Sequence, residues 1–404
     1  MKIALIKETK TPVDNRVALT PYQVAALNSE YPDSEIVVQS SDIRAFSDDD
    51  YRRAGVSVVN DVSDCDVLFG IKEAKISTLL PHKHYVFFGH IAKKQAYNRA
   101  LLQAFLAKGI TFSDYEYLVD ENNVRVCAFG WWAGVVGVYY TLRGYGLRTK
   151  EFELPKPDIH FTLEQLIHEL KNIQLPALRL LVTGGGRVSH GAQHVLEAIG
   201  ATRLSEKEYL SDNPLSGFSY CVANVSNLVK RIDGQAFDRK DFAENPQRYE
   251  SDFMRWARHT DILITAHFWA PDAPVYLTKD DLRSEDNHIH MIGDVTCDIM
   301  GSIQSTLRSS THSAPYYDYN PATEQEEPPF SHERNITVMA VDTCPNALPK
   351  DASNFFGEML TPNVFRPLLE GKAHTSKVLT GSTIVKAGKL TPKFSYLHDF
   401  ALGK

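Results

Sequence analysis

The stretch LRLLVTGGGRVSHGAQHVLEAIG at residues 178–200 decides the fold of this chain. Residues 179–182 form an apolar run of strand length, Gly184-Gly185-Gly186 supply a turn, and from Val188 the apolar residues recur at helical spacing until Gly200. A strand that turns on glycines into a helix offers backbone N–H groups to a phosphate with no side chains in the way. In the G-x-G-x-x-S spacing the first glycine permits the tight turn, and the second admits the phosphate. A small third residue, here Ser189, lets helix and strand pack closely. The strand–turn–helix setting makes this a dinucleotide pyrophosphate site rather than a plain structural turn. Gly184, Gly186, Arg187, Val188 and Ser189 are its candidate cofactor contacts.

Working outward on the C-terminal side, residues 201–204 read as a second strand. An acidic residue about 20 positions after the first glycine holds the adenine ribose of NAD. The chain there reads Leu204-Ser205-Glu206-Lys207. Glu206 argues for NAD, whereas Arg203, Ser205 and Lys207 suit the extra phosphate of NADP, so the choice stays open. Residues 206–258 are charged and longer than an ordinary connection, and they read as an insertion with its own helix. Residues 261–266 (DILITA), 291–295 and 336–342 read as strands, the last being the final clear one. Ala266, Asp294, Asp298 and Asp342 follow or close these strands, as cofactor contacts or as caps; no spacing supports a metal site. Residues 302–329 are polar and proline-rich and read as a long active-site loop, and residues 352–369 as a helix returning to the first domain.

On the N-terminal side, residues 2–6, 36–39, 56–59, 66–72 (DVLFGIK) and 85–90 (YVFFGH) read as strands, with a helix opened by Thr20 as N-cap and Pro21. Strands alternating with helices give an α/β fold with a parallel sheet, and ligands gather at the carboxyl ends of such strands. Lys72 and His90 lie at two of those ends. Singly, they read as a snorkelling lysine and a satisfied core histidine; as neighbours, they suit paired acid–base work. Glu73 and Glu116 are natural tuning partners. Arg16 and Arg125 read either as salt-bridged arginines or as bidentate clamps on a substrate carboxylate. The apolar stretch 126–142 holds Gly130, Gly134 and Gly137. It falls short of the ~20 residues a membrane span needs, so a buried helix over 131–147 between domains is expected.

A chain of 404 residues suggests two domains. The net charge of −7 lends no support to nucleic-acid binding. Lys7 and Glu8 interrupt the first apolar run too early for a signal peptide. The five cysteines are widely spaced, without CxxC or a Cys/His cluster. This pattern points to no disulfide framework, no zinc site and a reducing, cytoplasmic setting.

KETK at 7–10 and NRVALTP at 15–21 resemble the start of alanine dehydrogenases and of the transhydrogenase alpha subunit. A closer resemblance is to L-lysine-forming saccharopine dehydrogenase and the lysine–ketoglutarate reductase domain of aminoadipic semialdehyde synthase. It is carried by GIKE at 70–73, FGH at 88–90, DYEYL at 114–118, RVCAFGWWAG at 125–134, GGGRVSHGAQ at 184–193, DVTCDIMGSI at 294–303 and NALPKDASNFFGEML at 346–360.

The resemblance implies two Rossmann-like domains with parallel sheets and an active site in the cleft. Residues 1–134 with about 343–404 would form the catalytic domain, and 135–342 the dinucleotide domain. It implies interconversion of saccharopine with L-lysine and 2-oxoglutarate by hydride transfer to or from NAD or NADP. A lysine matching Lys72 would handle the amine proton and a histidine matching His90 the water and carbinolamine steps. Glu73 and Glu116 would tune them, and Arg16 and Arg125 would hold carboxylates, with Phe129 also in the substrate site. Small molecules, rather than nucleic acid or membrane, are the implied partners, and an oligomer is compatible with the fold. The alternatives are an opine-type or alanine-type dehydrogenase and a dinucleotide-binding protein without catalysis.

Overall fold

The computed structural model describes residues 1–404, which divide into two compact units: 1–129 with 349–404, and 130–348. Each is built on its own eight-stranded sheet.

In the first unit β1 (Lys2–Leu5), β2 (Glu35–Gln39), β3 (Val58–Val59), β4 (Val67–Phe69), β5 (His84–Phe87) and β6 (Thr111–Asp114) run parallel in the order β6-β5-β4-β1-β2-β3. The central strands are apolar throughout because helices cover both faces of such a sheet; Ile3, Ala4, Leu68, Val86 and Phe87 have almost no exposure. Thr20 caps the helix Pro21–Glu30 in a full capping box with Gln23.

The second unit contains β7 (Arg179–Thr183), β8 (Thr202–Arg203), β9 (Ser219–Ala223), β10 (Val229–Arg231), β11 (Tyr249–Ser251), β12 (Ile262–Thr265), β13 (Met291–Asp294), β14 (Tyr316–Asn320), β15 (Gln325–Glu327) and β16 (Ile336–Met339). Its main sheet has the order β15-β14-β16-β13-β12-β7-β9-β8, and β10 and β11 form a separate antiparallel ribbon. The chain then returns to the first unit, where β17 (Thr383–Lys386) and β18 (Lys389–Leu390) extend the first sheet antiparallel to β6.

Four expectations need correction. Residues 206–258 are not a mere insertion, because β9 lies inside them and pairs directly with β7, leaving two-residue β8 at the edge. The five residues SYCVA are nearly all buried, but the charged chain around them hides so short a strand. Residues 302–329 are not one long loop. Tyr316, Tyr317 and Tyr319 bury themselves in β14, which forms a hairpin with β15, and Pro315 and Pro321 flank the strand without interrupting it. Residues 336–342 are not the last strand, since β17 and β18 follow. A single helix over 352–369 does not form. The helix Pro349–Leu360 passes into a π-type segment at Thr361–Phe365 and a short helix Arg366–Leu369, where Pro362 and Pro367 withhold N–H donors.

The helix Gly130–Thr149 belongs wholly to the second unit rather than bridging two, and it packs on the helix Arg187–Ala198 that follows the glycine turn. The two backbones touch. A Cβ on Gly134 would stand 1.8 Å from the Val188 carbonyl oxygen, and one on Gly191 would stand 1.9 Å from the Trp131 carbonyl oxygen. Both glycines are therefore needed for close approach. Gly191→Ala is expected to destabilise the second unit by roughly 3 kcal/mol and to lower its melting temperature by several degrees in calorimetry. Gly217→Ala, where a Cβ meets nothing within 4 Å, is the control and should change little.

Candidate active site

The glycine turn has the stereochemistry that the sequence requires. Gly184 has φ +86°, and its Cβ would come within 2.7 Å of the Ala266 carbonyl oxygen. A Cβ on Gly185 would come within 2.4 Å of Asn224 Oδ1, whereas one on Gly186 meets nothing within 4 Å. Gly186 is the N-cap of the helix Arg187–Ala198, and no side chain caps that end. An open glycine in front of uncapped first-turn N–H groups is a cradle that fits a phosphate. Arg187 is exposed and Val188 half-buried at its rim. Ser189 is fully buried and its hydroxyl accepts from Gln193 Nε2 at 3.1 Å, so its part is packing.

The other second-unit candidates divide by what already holds them. Ser205 caps the short helix Glu206–Tyr209 in a capping box with Glu208. Glu206 accepts from Asn227 Nδ2 at 2.8 Å and pairs with Arg255 at 2.8 Å. Asp294 is buried, and its Oδ1 accepts from the hydroxyls of Thr265 (2.5 Å) and Thr296 (2.6 Å) and from the N–H groups of Thr296 and Cys297 (both 3.1 Å). That carboxylate anchors the chain after β13. Asp298 flanks the tight turn at Gly301, and Asp342 is exposed beyond β16. Ala266 is buried and its N–H donates to Thr183 Oγ1 at 3.1 Å.

Two residues near the turn escaped the sequence reading. Asn224 closes β9, the strand beside β7, whereas counting from the first glycine leads to Glu206 beyond the edge strand. His267 Nδ1 lies 2.6 Å from the Thr183 hydroxyl and its Nε2 lies 2.8 Å from that of Ser302. Desolvation pushes its pKa down to about 4, so it is a neutral link between the turn and the chain after β13. No group of three His, Cys, Asp or Glu side chains is gathered to hold a metal ion.

In the first unit, Lys72 and His90 each stand three residues beyond the ends of the adjacent strands β4 and β5. Glu73 joins them to the chain after β1. Its Oε1 lies 2.8 Å from His90 Nδ1, and its Oε2 pairs with Lys10 Nζ at 2.6 Å. Burial works to raise the Glu73 pKa, but the bonds from His90 and Lys10 outweigh it and hold the group at about 2. Lys72 moves the other way: desolvation first, then the Arg16 charge, depress its pKa, against the pull of Asp14. His90 is held at φ +50°, a left-handed conformation that aims its ring back at Glu73.

Glu116 follows β6. Its Oε1 accepts from Arg125 at 2.7 Å and pairs with Lys93 at 3.0 Å, while its buried Oε2 has no hydrogen-bond partner. Burial opposes ionisation, but Lys93 and Arg125 prevail and the pKa is lowered. Arg16 is nearly fully buried, forked onto Asp14 at 2.9 and 2.5 Å, with its guanidinium 4.2 Å from the Phe129 ring centroid. Phe129 in turn stacks on Phe356 at 4.3 Å. Lys10, Asp14 and Lys93 join this cluster as well; only Lys10 sits in the polar run just after a strand, KETK after β1, which is the signal that could have found it.

The chain thus carries two candidate sites, a glycine phosphate cradle on one sheet and a cluster of acidic and basic side chains at the strand ends of the other. Residues 4–136 match the alanine dehydrogenase/PNT N-terminal domain family. The chain shares the fold of an L-alanine dehydrogenase, with TM-score 0.65 and 16% identity over 99% of this chain and 100% of that one. The transhydrogenase of Sinorhizobium meliloti gives TM-score 0.62 and 14% identity over 97% and 100%. In sequence it is 28% identical to the alpha-aminoadipic semialdehyde synthase of Arabidopsis thaliana, over 89% of this chain and 38% of that protein. Against the mitochondrial synthase of Bos taurus the figures are 27%, 98% and 47%. Against the L-lysine-forming, NAD(+) saccharopine dehydrogenase of Schizosaccharomyces pombe they are 26%, 88% and 90%. The chain thus spans less than half the length of these synthases. The sequence is similar, at under 30% identity, to saccharopine dehydrogenases and aminoadipic semialdehyde synthases, and its first third matches the alanine dehydrogenase/PNT N-terminal domain model.

Because the Glu73 pKa is depressed in the folded state, from 4.5 to about 2, its contribution to stability is present above the unfolded value and is lost as pH falls from about 5 toward 2. Glu73→Gln is expected to flatten the acid limb of the first unit's melting temperature against pH, a change on the order of 2–3 kcal/mol. An unchanged acid limb would contradict the bond network assigned to Glu73.

Proposed function

We propose that the chain is a nicotinamide-dependent saccharopine dehydrogenase of the L-lysine-forming type. In the oxidative direction saccharopine, water and oxidised nicotinamide give L-lysine, 2-oxoglutarate, reduced nicotinamide and a proton. The observation that carries the reading is the Lys10–Glu73–His90 chain beside Lys72, at the carboxyl ends of two adjacent parallel strands. It has the relatives named saccharopine dehydrogenase behind it. The nicotinamide supplies the hydride acceptor in one direction and the donor in the other. Gly184, Gly185 and Gly186 with the following helix N-terminus would hold its pyrophosphate.

The remaining chemistry belongs to side chains. Lys72, with its lowered pKa, is suited to take the proton of the secondary amine and to return it in reverse. His90 is suited to take a proton from the water that attacks the substrate imine, and to pass it on as the carbinolamine collapses. Glu73 balances the imidazolium that forms. Lys93 and Arg125, gathered by Glu116, and Arg16, paired with Asp14, are the cations proposed to meet the substrate carboxylates. Asn224 closes the strand beside the glycine turn, so it is the residue proposed to meet the adenosine ribose. Being neutral, it rejects neither the hydroxyl of NAD nor the phosphate of NADP.

Lysine plus 2-oxoglutarate is expected to oxidise the reduced cofactor, followed by nicotinamide absorbance, and Lys72→Met to bind dinucleotide while losing turnover at least about a hundredfold. Turnover of pyruvate plus ammonia alone would replace this reading with an alanine-type dehydrogenase. Asn224→Asp is expected to weaken NADPH binding at least about tenfold by fluorescence titration, leaving NADH within about threefold. Equal losses for the two cofactors would remove Asn224 from the ribose site.

A further inference from the structure

Two carboxyl groups in the first unit form no ion pair, yet each grips backbone. Glu8, half-buried in the chain after β1, accepts from Ile71 N at 2.6 Å on one oxygen and from Lys72 N at 2.9 Å on the other. Asp114, fully buried at the end of β6, accepts from Gly89 N at 3.1 Å and from Glu116 N at 2.9 Å. The residues so held are Lys72 itself, the residue before His90, and Glu116. We propose that Glu8 and Asp114 are positioning residues, which fix the backbone that presents Lys72, His90 and Glu116 to the substrate. This rests on the proposed roles of Lys72 and His90.

The strand geometry explains why such holders are needed. β4 ends at Phe69 and β5 at Phe87, so the N–H groups of Ile71, Lys72 and Gly89 lie beyond their strands, where a half-buried donor must find another acceptor. A carboxylate offers two oxygens, enough to bind two successive N–H groups in one geometry. Room for Glu8 is left by a glycine. A Cβ on Gly70 would stand 3.3 Å from Glu8 Oε1, whereas at Gly89 it is the Phe112 ring, 2.5 Å from a Cβ, that leaves no room for a side chain. Desolvation raises Glu8 to about 8 and Asp114 to about 6, against the opposing pull of those same N–H bonds. The carboxylates therefore sit in places that cost stability, as expected of groups kept for geometry.

Glu8→Gln and Asp114→Asn each put an NH2 where one oxygen accepted an N–H. Each is expected to lower kcat about 10- to 100-fold, since small misplacement of a reacting group has that effect. The 2-oxoglutarate KM and the dinucleotide Kd should stay within about threefold. A merely structural role would instead change kcat, KM and melting temperature together, and that result overturns the proposal, as does a kcat within about twofold of wild type in a folded variant. A second measurement needs no turnover. Acetic anhydride labelling of Lys72 across pH, read by peptide mass spectrometry, should show a shifted midpoint in Glu8→Gln, and an unchanged midpoint overturns the proposal. If Glu8→Gln does not fold, Asp114→Asn decides through the kcat-against-KM split. Absence of wild-type turnover with lysine and 2-oxoglutarate would refute the substrate reading instead, and the Lys72 labelling would still test the positioning.

Discussion

A parallel strand leaves N–H groups beyond its last ladder bond, and at its carboxyl end there is no turn of the same sheet to receive them. In this chain carboxylates receive them at the points where a strand gives way to polar side chains. Glu8 binds the N–H groups after β4, Asp114 those after β5 and β6, and Asp294 those after β13. Each of these carboxylates is short of counter-charge compared with a surface ion pair, and each takes its stabilisation largely from backbone or hydroxyl donors. Lys72, His90 and Glu116, the side chains proposed to act, thus leave backbone that is held by these bonds.

The charges around Lys72 form a series of opposed pairs. Lys10 neutralises half of Glu73, which leaves its other oxygen for His90. Arg16 is spent on Asp14, and both fields act on Lys72, the arginine lowering its pKa and the aspartate raising it. Glu116 divides one oxygen between Lys93 and Arg125 and keeps the other unpartnered in a buried place. Such an arrangement stores desolvation free energy that a ligand bearing carboxylates and an amine can release, which is the expected character of a binding site.

Much of this is legible in the sequence. The glycine turn could be read because its glycines are stereochemically forced, by φ at Gly184 and by contact at Gly185. Lys72, Glu73, His90 and Glu116 could be read because strand ends are marked by an abrupt passage from apolar to polar residues. The illegible parts share a cause: their signal is in space, not along the chain. Asn224 matters because β9 inserts beside β7, which counting from Gly184 cannot reveal. Glu8 looks like one more charge in KETK until the strand pairing brings Ile71 and Lys72 over it. The tyrosines of β14 are masked by surrounding prolines, and the π-type segment at Thr361–Phe365 follows from Pro362 and Pro367, whose effect the apolar pattern of residues 352–369 hides.

The central claim is that desolvation and the Arg16 charge prepare Lys72 to exchange a proton. The most direct measurement is an NMR titration of the full chain carrying isotopically labelled lysine, with the Lys72 amine assigned by its loss in Lys72→Met. A Lys72 signal that titrates below the ordinary lysine value of 10.5, and rises when Arg16 is replaced by glutamine, is the expected result. A Lys72 amine that titrates at or above that value, unmoved by the loss of Arg16, would contradict the proton-transfer role assigned to it.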